Sequence, residues 1–197
     1  MKVVGAENEP RYEDGSYLLC ANHLGALDPF CIAAALNHRK LCFMAKKELG
    51  QIPFLKSWMD AVDCVFVDRA NKQSAHSSLQ NAIDAVRDGR SLVIFPEGTR
   101  SKDGELGQFR GGAMKIAMET GATIVPVLLE GTRARLEETG NVTAGTVYVT
   151  YLDPIETTGL TKDDFFAMPQ QLRALLQNER DKQKAVLSRE IKADIVE

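Results

Sequence analysis

The sequence predicts a single α/β domain with a mostly parallel or mixed central sheet flanked by helices. Three observations indicate this fold class. Short apolar runs alternate with helical patterns along the chain. The runs "SLVIF" and "TIVPVLL" are almost continuously apolar, which is typical of strands covered on both faces. The 197 residues are enough for one ordinary domain, and no repeat or low-complexity linker divides them.

The elements follow from the positions of these runs. Strands are predicted at residues 2–4, 17–21, 41–45, 64–67, 91–95, 123–129 and 146–152. Helices are predicted at residues 28–37, 74–88 and 110–119. The second helix has one apolar face and ends near Gly89, which suits a C-terminal cap. The third helix ends before Gly121, just ahead of the next strand.

The last part of the chain, residues 161–197, predicts a helical segment packed on the domain formed by residues 1–160. The helical pattern is broken or restarted at Pro169, a residue that fits the first turn of a helix. An apolar stripe runs along the segment and comprises Leu172, Leu175, Leu176, Val186, Leu187 and Ile191. Seven Lys or Arg residues balance seven Asp or Glu residues, so packing on the domain is favoured over an interfacial membrane helix.

Composition excludes several classes of protein. The chain is 44% hydrophobic and 26% charged, and its formal net charge of −3 gives no reason to expect a partner nucleic acid. The longest apolar run, "FCIAAAL", is far shorter than the roughly 20 residues that span a bilayer. The first residues lack the apolar stretch of a signal peptide, so we do not expect secretion, and the cysteines form no C-x-x-C pair. We therefore expect reduced core thiols in a cytoplasmic protein, at Cys20, Cys31, Cys42 and Cys64.

The stretch "NHLGALDPF" places His23 directly after the strand at 17–21 and Asp28 five residues later. Ligands of open α/β sheets bind beside the carboxyl ends of strands, so His23 stands where a catalytic group is useful. The short turn with Gly25 lets the Asp28 carboxylate fold back, fix the histidine tautomer and stabilise the imidazolium. The alternative is a packed histidine beside a helix N-cap at Asp28, followed by Pro29. The two oxygens of the carboxylate could serve both purposes.

A second candidate, "FPEGTRS" over residues 95–101, follows another strand. Glu97 and Arg100 put opposite charges on one turn, and Gly98 lets the backbone approach a ligand closely. The guanidinium of Arg100 suits a phosphate, and the strand "CVFVDR" also ends in an arginine, Arg69. A surface turn with an incidental ion pair is the alternative. The combination instead indicates an anionic substrate held beside a general base.

In order along the chain, "NH" followed by Asp28, "FVDR", "FPEGTRS" and "IVPVLLEG" resemble the four blocks of the glycerolipid acyltransferases. The closest resemblance is to the bacterial 1-acylglycerol-3-phosphate (lysophosphatidate) acyltransferases, over residues 4–153. The first and third blocks are specific together, whereas the second and fourth are weak alone. The chain departs from the family at Asp63, where glycine is usual, and Arg110 in "FRGGA" matches a basic family position only loosely.

The resemblance implies a role for each matching residue. His23 is the expected general base and Asp28 its orienting carboxylate. Arg69 is expected to hold the phosphate of the acceptor. The third block is expected to bind the acceptor and its phosphate through Glu97, Gly98, Thr99 and Arg100. Pro126 matches the fourth-block proline, which either lines an acyl pocket or serves the core.

The implied reaction moves a fatty acyl group from acyl-CoA or acyl-carrier protein to the free hydroxyl of 1-acylglycerol-3-phosphate, which gives phosphatidate. No cofactor and no metal is expected, and a backbone N–H near Gly98 is the expected oxyanion donor. The expected partners are the lysophospholipid, the thioester donor and the inner face of the cell membrane, where we expect a cytoplasmic, peripheral protein. Residues 39–72 carry seven basic and four acidic residues, interleaved with Ile52, Phe54 and Trp58. This surface faces either lipid or, in its aromatic part, the core.

Other functions remain open from the sequence. The acceptor could be another lysolipid or a glycerol phosphate, or water in an acyl thioesterase. A non-catalytic module that binds phosphate-bearing lipids is a further alternative. A serine hydrolase with a G-x-S-x-G elbow and a P-loop nucleotide enzyme are disfavoured, because neither motif occurs.

Overall fold

The computed structural model describes residues 1–11, 15–36, 41–67 and 72–194, with the backbone alone at residues 54, 72–73 and 186–194. The strands are β1 (Lys2–Val4), β2 (Tyr17–Ala21), β3 (Leu41–Lys46), β4 (Val65–Val67), β5 (Ser91–Ile94), β6 (Thr123–Glu130) and β7 (Tyr148–Tyr151). The α-helices are α1 (Asp28–Ala35), α2 (Pro53–Ala61), α3 (Lys72–Arg87), α4 (Gly112–Thr120), α5 (Thr132–Leu136) and α6 (Lys162–Asp194). Short 3-10 helices cover Ala6–Asn8 and Lys47–Gln51.

The described strands form one mixed, seven-stranded sheet in the order β1-β7-β6-β2-β5-β3-β4. Strands β6, β2, β5, β3 and β4 are parallel to one another. Strand β7 runs antiparallel to β6, and β1 runs parallel to β7 at the edge. The predicted α/β fold with a mixed sheet is therefore confirmed.

The sheet separates two apolar cores, as expected for strands buried on both faces. Successive side chains of a strand point to opposite faces. Accordingly, Leu18 and Cys20 of β2 pack in the core that contains α3 and α4, whereas Leu19 and Ala21 pack in the core that contains α1. All four side chains are fully buried. The central strand β2 thus contributes side chains to the cores on both faces of the sheet.

The seven predicted strands differ from the observed ones by at most two residues at an end. Helix α1 ends earlier than predicted, at Ala35, because Leu36 takes an extended conformation while it packs in the core. Helix α3 begins earlier, at Lys72. Helices α2 and α5 were not predicted, since nine and five residues are too short for a sustained periodic pattern.

Asp63 stands where the resembling family usually has glycine, and the structure shows why aspartate is tolerated there. It follows α2 with a φ of 47°, in the left-handed region that favours glycine and that aspartate tolerates better than most residues. The neighbouring Cys64 N–H donates to the Met59 carbonyl at 2.9 Å, which closes the end of the helix. The turn is therefore the same kind of helix stop that a glycine would make.

Pro169 does not break the C-terminal helix, contrary to the prediction. Helix α6 is continuous from Lys162 to Asp194 with Pro169 inside it. Phe165, Met168 and Leu172 are buried in the same core on both sides of the proline. An internal proline costs about 3 kcal/mol, and the burial of these three side chains favours the continuous helix over a break. The boundary at residue 160 stays a prediction.

The structure places only part of the basic and apolar surface predicted within residues 39–72 in contact with solvent. Trp58 packs against Phe30 and Phe43, with ring centroids 4.5 and 5.4 Å away, so it belongs to the core alternative. Leu49 and Ile52 are exposed. The Phe54 side chain lies outside the described residues. Within the described part of the chain, no helix is both long and apolar enough to cross a membrane.

Candidate active site

The site lies where β2 and β5 end side by side. Cys20 of β2 is paired with Ile94 of β5, so the loops that follow both strands emerge at the same edge of the sheet. The His23 N–H donates to Glu97 Oε1 at 2.9 Å, and the Ser101 N–H donates to the His23 carbonyl at 2.8 Å. The two candidate stretches of the sequence therefore form one site.

His23 and Asp28 are in direct contact. His23 Nδ1 lies 2.8 Å from Asp28 Oδ2, and the same oxygen accepts the backbone N–H groups of Leu24 at 2.6 Å and Gly25 at 2.8 Å. The Asp28 side chain is fully buried. Because a carboxylate only accepts, we assign the ring proton to Nδ1, and Nε2 is the nitrogen that can receive a proton.

Asp28 does not cap helix α1, contrary to the N-cap interpretation. The capping residue is Leu27, and Asp28 is the first residue inside the helix. Its Oδ2 accepts from the preceding turn, while Oδ1 is buried and meets no donor among the described residues. The expectation that the two oxygens cap the helix and orient the imidazole together is therefore wrong. Oδ2 alone binds both the backbone of the turn and the imidazole.

The imidazole of His23 stacks on Phe95, the first residue after β5. Their ring centroids are 4.1 Å apart and their planes differ by 19°. The His23 side chain is 18% exposed, and its ring is oriented by the contacts with Phe95 and Asp28. The role of His23 as a general base stays a prediction.

Glu97 is buried, and each of its oxygens accepts a backbone N–H. Oε1 accepts from His23, and Oε2 accepts from Gly107 at 3.0 Å. A Cβ at position 107 would stand 2.8 Å from Oε2, so glycine permits the close approach. Burial raises the pKa of the Glu97 carboxyl, and the two N–H groups oppose that rise. Glu97 therefore joins two loops, and its expected contact with an acceptor stays a prediction.

Arg100 pairs with Glu137 rather than with Glu97. Its Nη1 lies 3.3 Å from Glu137 Oε1, which also accepts the Ala26 N–H at 2.6 Å. Glu137 thus links the arginine to the turn that carries His23. The guanidinium of Arg100 is about half exposed, at 54% of its side chain. A cation is therefore held at the mouth of the site with access to solvent.

Gly98 takes a left-handed conformation, with a φ of 71°. A Cβ built there would stand 3.5 Å from Cζ of Arg110, so the two lie close together. The Gly98 N–H donates to the Phe95 carbonyl at 2.9 Å. The Gly98 N–H is thus engaged in the turn, and the expectation of an oxyanion donor among the backbone N–H groups near Gly98 stays a prediction. Thr99 beside it is exposed.

The remaining predicted residues lie apart from this cluster. Arg69 lies outside the described residues. Pro126 is buried within β6 opposite Cys20 of β2, and its carbonyl accepts the Leu152 N–H at 3.0 Å. This position gives Pro126 a place in the sheet interior, while a role in an acyl pocket stays a prediction. Among the described residues, no group of three His, Cys, Asp or Glu side chains is arranged to hold a metal.

Comparison with known proteins identifies the family. The family model described as Acyltransferase matches residues 1–130, well over half of the chain. The chain belongs to this acyltransferase family. The match contains His23, Asp28, the third block and Pro126, and it ends at the last residue of β6.

This acyltransferase is similar in sequence to proteins named as 1-acyl-sn-glycerol-3-phosphate acyltransferases. A probable 1-acyl-sn-glycerol-3-phosphate acyltransferase of Mycoplasma pneumoniae is 36% identical over 68% of this chain and 51% of the relative. A 1-acyl-sn-glycerol-3-phosphate acyltransferase of Borreliella burgdorferi is 35% identical over 66% of this chain and 51% of the relative. The chain spans about half the length of these curated relatives.

A solved structure shows the same fold. The crystal structure of the 1-acyl-sn-glycerophosphate (LPA) acyltransferase PlsC from Thermotoga maritima matches with a TM-score of 0.79 and 28% identity. The match covers 93% of this acyltransferase and 71% of that chain.

Sequence reasoning missed Asn22 and Glu137. The fully buried Asn22 amide donates to the Leu129 carbonyl at 3.0 Å and accepts the Leu129 N–H at 2.7 Å. It thereby extends the pairing of β2 with β6 by one side chain, just before His23. A polar residue directly after a buried strand was the available signal for Asn22. Glu137 gives no local signal, because its partner Ala26 is 111 residues away.

Proposed function

We propose that this acyltransferase moves an acyl group from a thioester to the free hydroxyl of 1-acylglycerol-3-phosphate. The observation that carries the proposal is the 2.8 Å contact of His23 Nδ1 with the buried Asp28 carboxylate at the carboxyl edge of the sheet. Such a pair activates a hydroxyl by general-base catalysis, which typically contributes about 10²–10⁴ in rate. The names of the relatives support the acceptor.

The reaction needs no covalent intermediate on the enzyme. The acceptor hydroxyl passes its proton to His23 Nε2 as its oxygen attacks the thioester carbonyl carbon. Collapse of the tetrahedral intermediate breaks the C–S bond, and the departing thiolate takes the proton back from the imidazolium. Asp28 stabilises the imidazolium between these two steps. Neither a metal nor a cofactor enters this scheme.

We assign the phosphate of the acceptor to the arginines beside His23. The exposed guanidinium of Arg100 and the nearby Arg110 side chain both lie on the loop that contacts His23. A guanidinium binds phosphate by paired, charge-assisted hydrogen bonds. Arg69 is the third cation that we assign to the phosphate, on the resemblance alone.

The test is an acyl-transfer assay that follows free thiol and acylated product together. Donors are acyl-CoA and acyl-carrier protein. Acceptors are 1-acylglycerol-3-phosphate, its dephosphorylated form, glycerol-3-phosphate and water. We expect phosphatidate in equal amount to thiol. Thiol without acylated product would mean a thioesterase, and no turnover with lipid still bound would mean a binding module.

The phosphate contact has its own test. We expect Arg100→Ala to raise KM for 1-acylglycerol-3-phosphate and to change KM for the dephosphorylated acceptor little. Arg87→Ala, which removes an exposed arginine of α3, is the matched control. An equal rise of KM for both acceptors would remove Arg100 from phosphate binding.

We further propose that the protein works at the inner face of the cell membrane through residues 46–52. This segment follows the carboxyl end of β3, at the same edge as the site, and exposes Leu49 and Ile52 beside Lys46 and Lys47. Flotation with anionic phosphatidylglycerol vesicles tests it. Leu49→Ser with Ile52→Ser should weaken binding, whereas Val142→Ser, at an exposed apolar residue elsewhere, should not. Equal binding by all three proteins would exclude the segment.

A further inference from the structure

Through Arg173, helix α6 binds the loop at residues 102–111, which follows the third block. This arginine lies beyond the part of the chain that the family model matches. Its Nε donates to the Gly107 carbonyl and its Nη2 to the Leu106 carbonyl, each at 2.8 Å. The planar guanidinium therefore donates to two consecutive carbonyl groups from two different nitrogens. The ammonium of a lysine cannot reproduce this geometry.

Arg180 lies two turns further along α6 and binds the same loop at Gly104 and Glu105, which precede Leu106 and Gly107 in the chain. Its buried guanidinium donates to the Gly104 carbonyl at 2.5 Å and to Glu105 Oε2 at 2.8 Å. It also contacts Glu130, the last residue of β6. The helix, the loop and the end of a central strand are thus joined at one cation. Arg180 is buried and Glu130 is its more buried partner, whereas Glu105 is largely exposed. Removal of Glu130 would leave a buried charge with less compensation, which destabilises a protein.

Further hydrogen bonds connect this loop to His23. The Gly107 carbonyl accepts from Arg173, and the N–H of the same residue donates to Glu97 Oε2 at 3.0 Å. The other oxygen of Glu97 accepts the His23 N–H at 2.9 Å. A continuous path of hydrogen bonds therefore runs from α6 to the backbone of His23.

We propose that Arg173 is a positioning residue for His23, which acts through Gly107 and Glu97, and that Arg180 supports the same loop. The assignment rests on the proposed function. Anchoring of the helix alone does not account for the geometry, because Phe165, Met168, Leu172 and Leu176 already bury α6 in the domain. Both guanidinium groups instead donate to carbonyl groups of the loop that leads through Gly107 and Glu97 to His23.

Kinetics of Arg173→Ala tests the proposal, and Arg173 is chosen over the buried Arg180 because it is partly exposed. We expect kcat to fall by about tenfold to a hundredfold, since a misplacement of about 1 Å can cost about 10² in rate. KM for the donor should stay close to the parental value. Arg173→Lys should lie between the two, as it restores one donor. Lys182→Ala, at an exposed position on α6 paired with Glu179, is the matched control.

Hydrogen–deuterium exchange of residues 22–28 and 96–107, without substrate, supplies a readout independent of activity. We expect faster exchange of both segments in Arg173→Ala and parental exchange in Lys182→Ala. A parent that forms no acylated product would refute the proposed function, while exchange would still test the path. An active parent with unchanged kcat in Arg173→Ala, or unchanged exchange of residues 22–28, would overturn the positioning role.

Discussion

The backbone and ring of His23 are held from four directions. Glu97 accepts its N–H, the Ser101 N–H binds its carbonyl, Asp28 holds Nδ1, and Phe95 stacks on its face. A general base gains its effect from such fixed placement, since a reactive geometry is then already present before the substrate arrives. The four contacts come from two segments of the chain that the sheet brings together.

Glu97→Gln should destabilise the protein and reduce acyl transfer. Glutamine has one carbonyl oxygen, so one of the His23 and Gly107 N–H groups would face an amide that only donates. We expect a loss of about 1–3 kcal/mol in the free energy of unfolding, measured by chemical denaturation. Glu119→Gln, at an exposed glutamate of α4, should change it by less than about 0.5 kcal/mol.

The loss at Glu97 should also depend on pH. Burial raises the pKa of the Glu97 carboxyl in the folded protein. Its contribution to stability is therefore fully present below the pKa of an unfolded glutamate and is lost as pH rises through the folded value. The stability difference between parent and Glu97→Gln should thus shrink as the pH is raised from below to above the usual range of a glutamate. A difference that grows over this range would contradict the environment described for Glu97.

Helix α6 contributes both to the core and to the site. Leu176 is fully buried in a cluster with Leu106, which lies in the loop before α4, and Leu128 of β6. The arginines on the same helix bind the neighbouring carbonyl groups. The helix therefore fixes the loop by apolar contact from one side chain and by hydrogen bonds from others.

Neighbouring leucines of α6 make a matched pair for a stability test. Leu176→Ala should lower the free energy of unfolding by about 2–5 kcal/mol, because it leaves a cavity between three elements. Leu175→Ala, at a side chain that is 38% exposed, should lower it by about 0.5 kcal/mol. Thermal or chemical unfolding of both variants measures the difference. Equal losses would show that α6 does not pack as described.

The elements show what a local pattern can predict. Continuous apolar runs located the strands, because burial on both faces leaves that signature in a few consecutive residues. The passage of α6 through Pro169 could not be predicted, since it depends on contacts of Phe165, Met168 and Leu172 with a distant core. Helix α2 was missed because its apolar residues, Trp58 and Met59 among them, serve contacts that no nine-residue pattern specifies.

At the scale of the whole molecule, parallel strands bring the loops after β2, β3 and β5 to one edge of the sheet. This rule let the sequence predict that His23, Asp28 and the third block share a site. The partners that fix them were not predictable, because Glu137 with Ala26 and Arg173 with Gly107 are separated by 111 and 66 residues. Such pairs become visible only when the fold closes.

The central claim is that His23 is the base that activates the acceptor hydroxyl. The most direct test is the rate of phosphatidate formation by His23→Ala, with the thermal midpoint and donor binding measured on the same samples. His76→Ala, at an exposed histidine of α3, is the matched control. The account predicts a loss of at least about 10²-fold in His23→Ala alone, with folding and donor binding retained. Parental rates in His23→Ala would contradict it.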